Sequence, residues 1–399
     1  MTTYTYASTD LITGELLADN LPINVQSFSA QLNGNGTLTG QLNLNELYAV
    51  NAPAVAALEC RRSVIWALAD GYPVWAGPVW DWPDMSRAAG TLPISAQTMD
   101  SVWSHRLVTD TIEYPQVDLF TAFLDLLNYG QSKMSPWIAS ISPPATRTPA
   151  YLAMVAQTAP VARLIVPTTA VSGVPWTASY TYSDLTQITS AWSDMTASGS
   201  MEFCFVPTLG ANGELAVQVQ LGYLQLGRPA ASCGYALTYP GNVLDYGYQR
   251  TGSQSTNMAW ASAPPNGNAL QWQSEYPHGA DLGDLASGYP LMESTVSWQG
   301  SVVTTQAQID DFADGQVAML TQAMTLPTIN VGGSARPALR DLVLGDAVQF
   351  SATSALHPPR PDGSPGLQQQ LRVTGWTCYP PGPQQSEYLQ LQTSAVAVS

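Results

Sequence analysis

The stretch Val64–Trp82 reads VIWALADGYPVWAGPVWDW and sets four tryptophans around an Asp70-Gly71 step. Asp-Gly between two apolar runs is a strong hairpin signal, because a type I′ turn needs positive φ at both central residues. A two-residue turn puts Trp66 directly opposite Trp75, on the face shared by Val64 and Leu68, as a cross-strand core pair. A three-residue loop puts the two rings on opposite faces. Pro73 and Pro78 each lack a donor N–H, which favours an edge position or a bulge in the second strand. A proline-blunted edge does not readily extend a sheet. The competing reading is a ligand platform, since Trp and Tyr rings stack on sugars and the chain has 12 Trp and 18 Tyr. Trp80 and Trp82 fall beyond the paired stretch and are the rings expected to meet a partner.

Outward from this hairpin the N-terminal signals are all β. In SFSAQLNGNGTLTGQLNL, Phe28, Ala30 and Leu32 share the even register with Leu38, Leu42 and Leu44 across the turn residues Asn33–Gly36. TLPISAQTMDSVW adds a strand near its start, which makes enough strands for a barrel or sandwich over residues 1–108. An α+β region is expected over 109–226. There VDLFTAFLDLLNYG spaces Val117, Phe120, Phe123, Leu124 and Leu127 for a helix, with Asp118 in its first turn and Gly130 as its stop. Residues 134–181 read as loops and short strands. Ser183 is expected to cap a second helix carrying Leu185, Ile188, Trp192 and Met195. A long hairpin follows, turning at Asn212-Gly213.

A second β-rich region is expected over 227–327. It closes with a helix at about 305–325, opened by a Thr305/Gln308 capping box and faced by Ile309, Phe312, Ala313, Val317, Leu320 and Met324. Residues 328–399 return to strands: LPTINV, LVLGDAVQF with Leu342, Leu344, Val348 and Phe350 in register, LRVTGW and SEYLQLQTS. HPPRPDGSPG between them reads as a loop.

Length and composition narrow the function. The 399 residues exceed one compact core. Charged residues are 11% of the chain, so the exterior is built from neutral polar side chains, as in β-rich proteins and assembly subunits. The formal net charge is −16, and Lys133 is the one lysine. Nucleic-acid backbones are held by clustered Lys and Arg; here Arg61-Arg62 is the sole adjacent basic pair, expected to be a satisfied pair at a strand end. Cys60, Cys204, Cys233 and Cys378 lie too far apart for metal-ligand spacing and read as reduced core residues. The first residues carry no secretory pattern, and the longest apolar stretch is broken by prolines and Arg163, so synthesis and folding in the cytosol are expected.

No catalytic motif stands out. His105, His278 and His357 are isolated, with His105 expected at a strand end and His357 in a loop. Asp310-Asp311 sit where a helix N-terminus favours negative charge. Asp281, Asp284 and Glu275 lack the alternating acids of a calcium loop. Catalytic, cofactor and metal residues are each expected to be none.

Taken together, Asp10-Leu11-Ile12-Thr13-Gly14 in an early hairpin, the SFSAQLNGNGTLTGQLNL hairpin and the strand pair ending Val74-Trp75-Ala76-Gly77-Pro78-Val79-Trp80 resemble the N-terminus of minor tail proteins of actinobacterial phages. These are similar to the tail-hub, or baseplate-hub, family of long-tailed phages. The Leu344-Gly345-Asp346 strand and the LRVTGW and SEYLQLQ pair look like the return to a second hub barrel. The resemblance implies a β-rich α+β fold, with two tail-tube-like β-barrel domains and α+β insertion domains. It implies a homotrimeric ring at the distal tail tip of the virion, without enzymatic activity. Its partners would be a distal tail or tail-tube ring, the tape-measure protein, and tip-fibre or receptor-binding proteins, with no sequence-specific nucleic-acid binding and no membrane insertion. A C-terminal peptidase or glycan-binding extension is not expected. An acidic channel wall would repel DNA phosphates during ejection. The rival function is a carbohydrate-binding adhesin using exposed Trp and Tyr.

Overall fold

The computed structural model describes residues 2–45, 48–83, 90–132, 161–197, 201–223, 225–247, 250–251, 256–263, 272–273, 286, 288–297, 306, 309–310, 312–314, 317, 324–325, 328–333, 335–382 and 386–395. The N-terminal part supplies β1 (Tyr4–Asp10), β2 (Leu16–Ala18), β3 (Ile23–Gln31), β4 (Thr37–Asn43), helix α1 (Tyr48–Ala56), β5 (Ser63–Ala69), β6 (Tyr72–Asp81) and β7 (Thr91–Gln97). The middle supplies β8 (Ile112–Asp118), α2 (Leu119–Ser132), β9 (Leu164–Ile165), β10 (Pro175–Tyr180), α3 (Ile188–Ala197), β11 (Met201–Leu209) and β12 (Leu215–Tyr223). The C-terminal part adds β13 (Ala236–Tyr239), β14 (Val243–Gly247), β15 (Arg250–Thr251), β16 (Met258–Ala263), β17 (Trp272–Gln273), β18 (Glu293–Ser297), β19 (Met324–Thr325), β20 (Thr328–Gly332), β21 (Ala347–Ala352), β22 (Leu367–Tyr379) and β23 (Tyr388–Ala395).

Strands from both ends of the chain share one 13-stranded sheet, in the order β14-β20-β23-β22-β3-β4-β7-β6-β5-β1-β2, with β21 on β22 and β13 on β21. The seam is β22 against β3, where Trp376 pairs with Ala30 and Cys378 with Phe28. Among the described residues only β13–β21 is parallel within this sheet. The fold is thus β-rich and mostly antiparallel. Among the described residues its main sheet runs as an open path, with β14 and β2 at the ends.

The Val64–Trp82 hairpin explains why its residues are apolar on both sides. Asp70 and Gly71 take φ of 51° and 81°, and Ala69 pairs with Tyr72, so the turn has the expected two residues. The expected pairing of Trp66 with Trp75 does not occur. Between Ala67↔Trp75 and Leu68↔Pro73 the register slips by one, and Val74 is the extra residue of a bulge beside Pro73. Trp66 therefore faces Ala76, while Val74 and Trp75 both enter the opposite core. β6 is interior, held by β5 and β7; Pro73 sits beside the bulge, while Pro78 pairs with Val64 inside the sheet. Gly77 is required where it stands, because a Cβ there would sit 1.7 Å from the Gln97 carbonyl oxygen.

One core lies between the strand sets of the two chain ends and holds Phe28, Leu38, Leu42, Trp75, Val348, Phe350, Val373 and Leu391. The other lies under the middle region and holds Trp66, Trp103, Phe123, Trp192, Phe203 and Phe205. Trp192 stacks on Phe123 at 4.6 Å between ring centroids.

Several expected elements shift. Phe28, Leu38 and Leu42 are fully buried as expected, but a bulge between Val25 and Ser27 gives upstream Ile23 and Val25 the buried odd positions. Val117 and Asp118 end a strand that the helical spacing concealed, and Asp118 caps α2 by accepting from Phe120 N at 3.0 Å and Thr121 N at 3.2 Å. Gly130 lies inside α2, where Trp103 and Ile188 leave no room for a Cβ, so it marks tight packing and not a stop. The helix at Ile188 starts after Leu185, which is exposed at φ 47°; Ile188, Trp192 and Met195 form its buried face. The β11–β12 hairpin pairs in register from Met201↔Tyr223 to Leu209↔Leu215, around the expected turn. Helical backbone is present at 306, 309–310, 312–314 and 317, but Met324 is in strand β19, so that helix does not reach 325. Thr305, Gln308 and Leu320 lie outside the described residues. Leu342 and Leu344 precede β21 in a loop instead of sharing its register. Helix α1, with Pro53 inside it, had no signal in the spacing.

Candidate interaction surfaces

The aromatic rings are mostly core. Trp66 Nε1 donates to Thr9 Oγ1 at 2.9 Å and Trp75 Nε1 to the Ser29 carbonyl at 2.8 Å, so each indole is satisfied in its own core. Trp82 Nε1 reaches the Leu58 carbonyl at 3.0 Å. Among the residues whose side-chain burial is described no tryptophan is exposed, and the exposed tyrosines, Tyr72, Tyr182, Tyr223 and Tyr289, sit on separate segments. A sugar platform would need adjacent exposed rings, and the residues whose burial is described do not supply them.

Trp80 instead forms part of a groove of about 540 Å³ at the ends of β1, β5, β6 and β7. Its indole N–H donates to Ser101 Oγ at 2.8 Å, and its ring packs on His105 with centroids 4.4 Å apart. Leu11 and Val102 complete an apolar floor; Arg61, Arg106 and Asp81 stand among the polar residues lining it. His105 is not at a strand end. It closes a 3-10 helix, Met99–His105, that follows β7 after one residue. Arg61 holds φ at 65°, a left-handed conformation for a side-chain-bearing residue, fixed by its N–H donating to the Val79 carbonyl at 2.7 Å. Burial lowers the pKa of Arg106. Two arginines against one aspartate give the groove a formal +1, on a chain whose formal charge is −16. Of the adjacent basic pair, Arg62 is satisfied as expected, by Asp10 at 2.8 Å, while its neighbour lines the groove. No pattern in the sequence links Arg61 to Trp80 and Arg106; strand pairing brings them together.

A second feature joins the three parts of the chain. Arg372 Nη1 donates to Glu202 Oε1 at 2.6 Å, Nη2 donates to Glu202 Oε2, and Nε donates to the Gly345 carbonyl at 3.1 Å. Asp346, fully buried, accepts from Arg228 Nη2 at 2.5 Å and from the Arg228 and Val343 backbone N–H groups. The Asp346 hydrogen bond lifts the Arg228 guanidinium above its ordinary range, against a smaller desolvation effect. Gly227 and Gly345, at φ 88° and 93°, let the two loops touch; a Cβ on Gly227 would lie 2.1 Å from the Gly345 carbonyl carbon. Beside this lies an apolar cleft of about 200 Å³ lined by Trp75, Phe205, Leu342, Leu344 and Trp376.

The remaining candidates stay apart. His357 lies in its expected loop, with Nδ1 3.1 Å from Tyr246 Oη. Asp310 takes helical backbone and accepts from Gln306 Nε2 at 3.0 Å. Asp311, His278, Asp281, Asp284 and Glu275 lie outside the described residues. Among the described residues no three His, Cys, Asp or Glu side chains gather where a metal ion could be held.

No family model and no curated protein sequence matches the chain. Solved structures do. The 43 kDa tail protein of prophage MuSo2 from Shewanella oneidensis is similar at a TM-score of 0.55 and 11% identity, over 98% of each chain. The tail protein from Neisseria meningitidis MC58 is similar at 0.54 and 13%, over 98% of this chain and 96% of that one. Prophage tail protein gp18 from Listeria monocytogenes EGD-e is similar at 0.55 and 10%, over 97% and 94%. The likeness runs almost end to end on both sides. The chain has the fold of phage tail proteins.

Proposed function

We propose that this chain is a structural subunit of a phage tail tip. Three copies form a ring at the distal end of the tail tube, through which the genome passes. In each copy the strand sets of 1–108 and 328–399 act as two tube-like barrel units. Three chains thereby present a sixfold arrangement to the distal tail ring above. The region at 109–226 and the part of 227–327 outside β13 and β14 decorate the ring, and tip-fibre or receptor-binding proteins attach below. The tape-measure protein ends at this ring. The role is mechanical, and no reaction is assigned to the chain.

The observation that carries this reading is the near-complete alignment with phage tail proteins, over 98% of this chain in two cases. The β22–β3 seam supports it further, because hydrogen bonding between strands from the two chain ends makes both strand sets one rigid wall. The acidic balance suits a channel that must not hold DNA. Mass measurement of the purified protein tests the reading: a particle of three times the 42.6 kDa chain mass supports it, and a monomer at every concentration refutes it. Addition of uronic-acid or neutral glycans is expected to leave tryptophan emission unchanged. A shift would favour the adhesin instead.

A further inference from the structure

Among the described residues the main sheet ends at β14, and that end carries an unusual display. Leu244 is 58% exposed, and Asp245 beside it is exposed as well. Leu244 is the extra residue of a bulge, since the pairing steps from Val243↔Val331 to Asp245↔Asn330. A bulge on an edge strand interrupts the ladder and discourages addition of another strand. The edge therefore offers side chains, one apolar and one acidic, instead of backbone.

The groove beside β1, β5, β6 and β7 offers the complement. The groove at the ends of β1, β5, β6 and β7 has an apolar floor of Leu11, Val102 and Trp80 and carries Arg61, Arg106 and His105. It is locally cationic on a strongly acidic chain. Trp80 has its indole N–H committed to Ser101 and its ring packed on His105, so it serves as floor rather than as a free stacking face.

We infer that this groove receives the Leu244–Asp245 edge of the next copy: Leu244 packs on the apolar floor and the Asp245 carboxylate meets Arg61. The inference rests on the ring proposed above, and names its contact. Two different patches of one chain meeting head to tail make a heterologous interface, which closes into a ring when the rotation between copies allows. On a chain of formal charge −16, copies otherwise repel, so a matched cationic groove and acidic edge select this register over others.

Sedimentation velocity on full-length protein tests it, at low salt and at about 0.5 M NaCl, where charge pairs at a surface are screened. Wild type is expected to associate, less so in high salt. Arg61→Glu and Asp245→Arg are each expected to weaken association roughly tenfold or more, and the double variant Arg61→Glu/Asp245→Arg to recover most of it. Leu244→Ser is expected to weaken it without changing the salt dependence. Circular dichroism confirms that each variant folds, and should Arg61→Glu not fold, Asp245→Arg and Leu244→Ser decide. A wild-type ring indifferent to these exchanges overturns the contact while leaving the ring standing. Single losses that the double variant does not repair overturn it equally. A wild-type monomer overturns ring and contact together.

Discussion

Arg372 in β22 holds both carboxylate oxygens of Glu202 in β11, across 170 positions of sequence. Only 7% of the Arg372 side chain and 15% of the Glu202 side chain are exposed, so neither charge has water as a substitute partner. The guanidinium also caps the Gly345 and Leu226 carbonyls. Removing one partner of such a pair strands the other, at a cost of about 3–5 kcal/mol. Arg372→Met is expected to destabilise by that amount in urea unfolding, and Glu202→Leu/Arg372→Met by clearly less. Equal losses in the two variants would show that the pair is not the source.

Trp66 and Trp75 are each about 2% exposed or less but lie in different cores. Truncation of either to alanine is expected to cost about 3–5 kcal/mol. Because no contact is shared, the double variant should equal the sum within about 0.5 kcal/mol. A larger coupling energy would mean that the rings touch, as a bulge-free hairpin requires.

Asp100 is buried in the 3-10 helix after β7. Burial pushes its carboxyl up to about 7 from an ordinary 3.8, although Thr98 and the Ser101 backbone hydrogen-bond to it. Cys204 is the titratable group that faces it from β11. Between those two pH values the folded state holds a proton that the unfolded state has lost. Stability therefore falls as pH rises from about 4 to 7, by an amount on the order of a few kcal/mol, and levels off above. Asp100→Asn keeps one acceptor oxygen and removes the titration. The variant should gain melting temperature over wild type at pH 8 but not at pH 4; an unchanged difference across that range would disprove the assignment. In Asp10 and Asp118 burial also raises the pKa, but accepted hydrogen bonds outweigh it and hold both below 3.8, so they act only at more acidic pH.

All four thiols are free, with Cys60 half-buried and Cys204, Cys233 and Cys378 buried. Burial pushes Cys204 and Cys378 up to about 12. Alkylation of native protein at pH 8 should label Cys60 first and leave those two untouched until denaturant is added, as mass spectrometry of the digests would report. Early labelling of Cys378 would mean that the β22–β3 seam opens.

Local patterns carried much of the fold into view. Asp70-Gly71 and Asn212-Gly213 specify their turns because positive φ is a property of those residues and not of their surroundings. Phe28, Leu38, Trp192 and Met195 declared their buried faces through spacing alone. What spacing could not decide was which core a strand faces when both of its sides are buried. β5 and β6 lie between two cores, so alternation vanishes and one bulge at Val74 sets the face of Trp75. The joining of β3 to β22, the meeting of Arg372 with Glu202, and the convergence of Arg61, Trp80 and Arg106 on one groove all link residues far apart in sequence. Such contacts depend on how the strands pair across the whole sheet, and only the tertiary structure decided them.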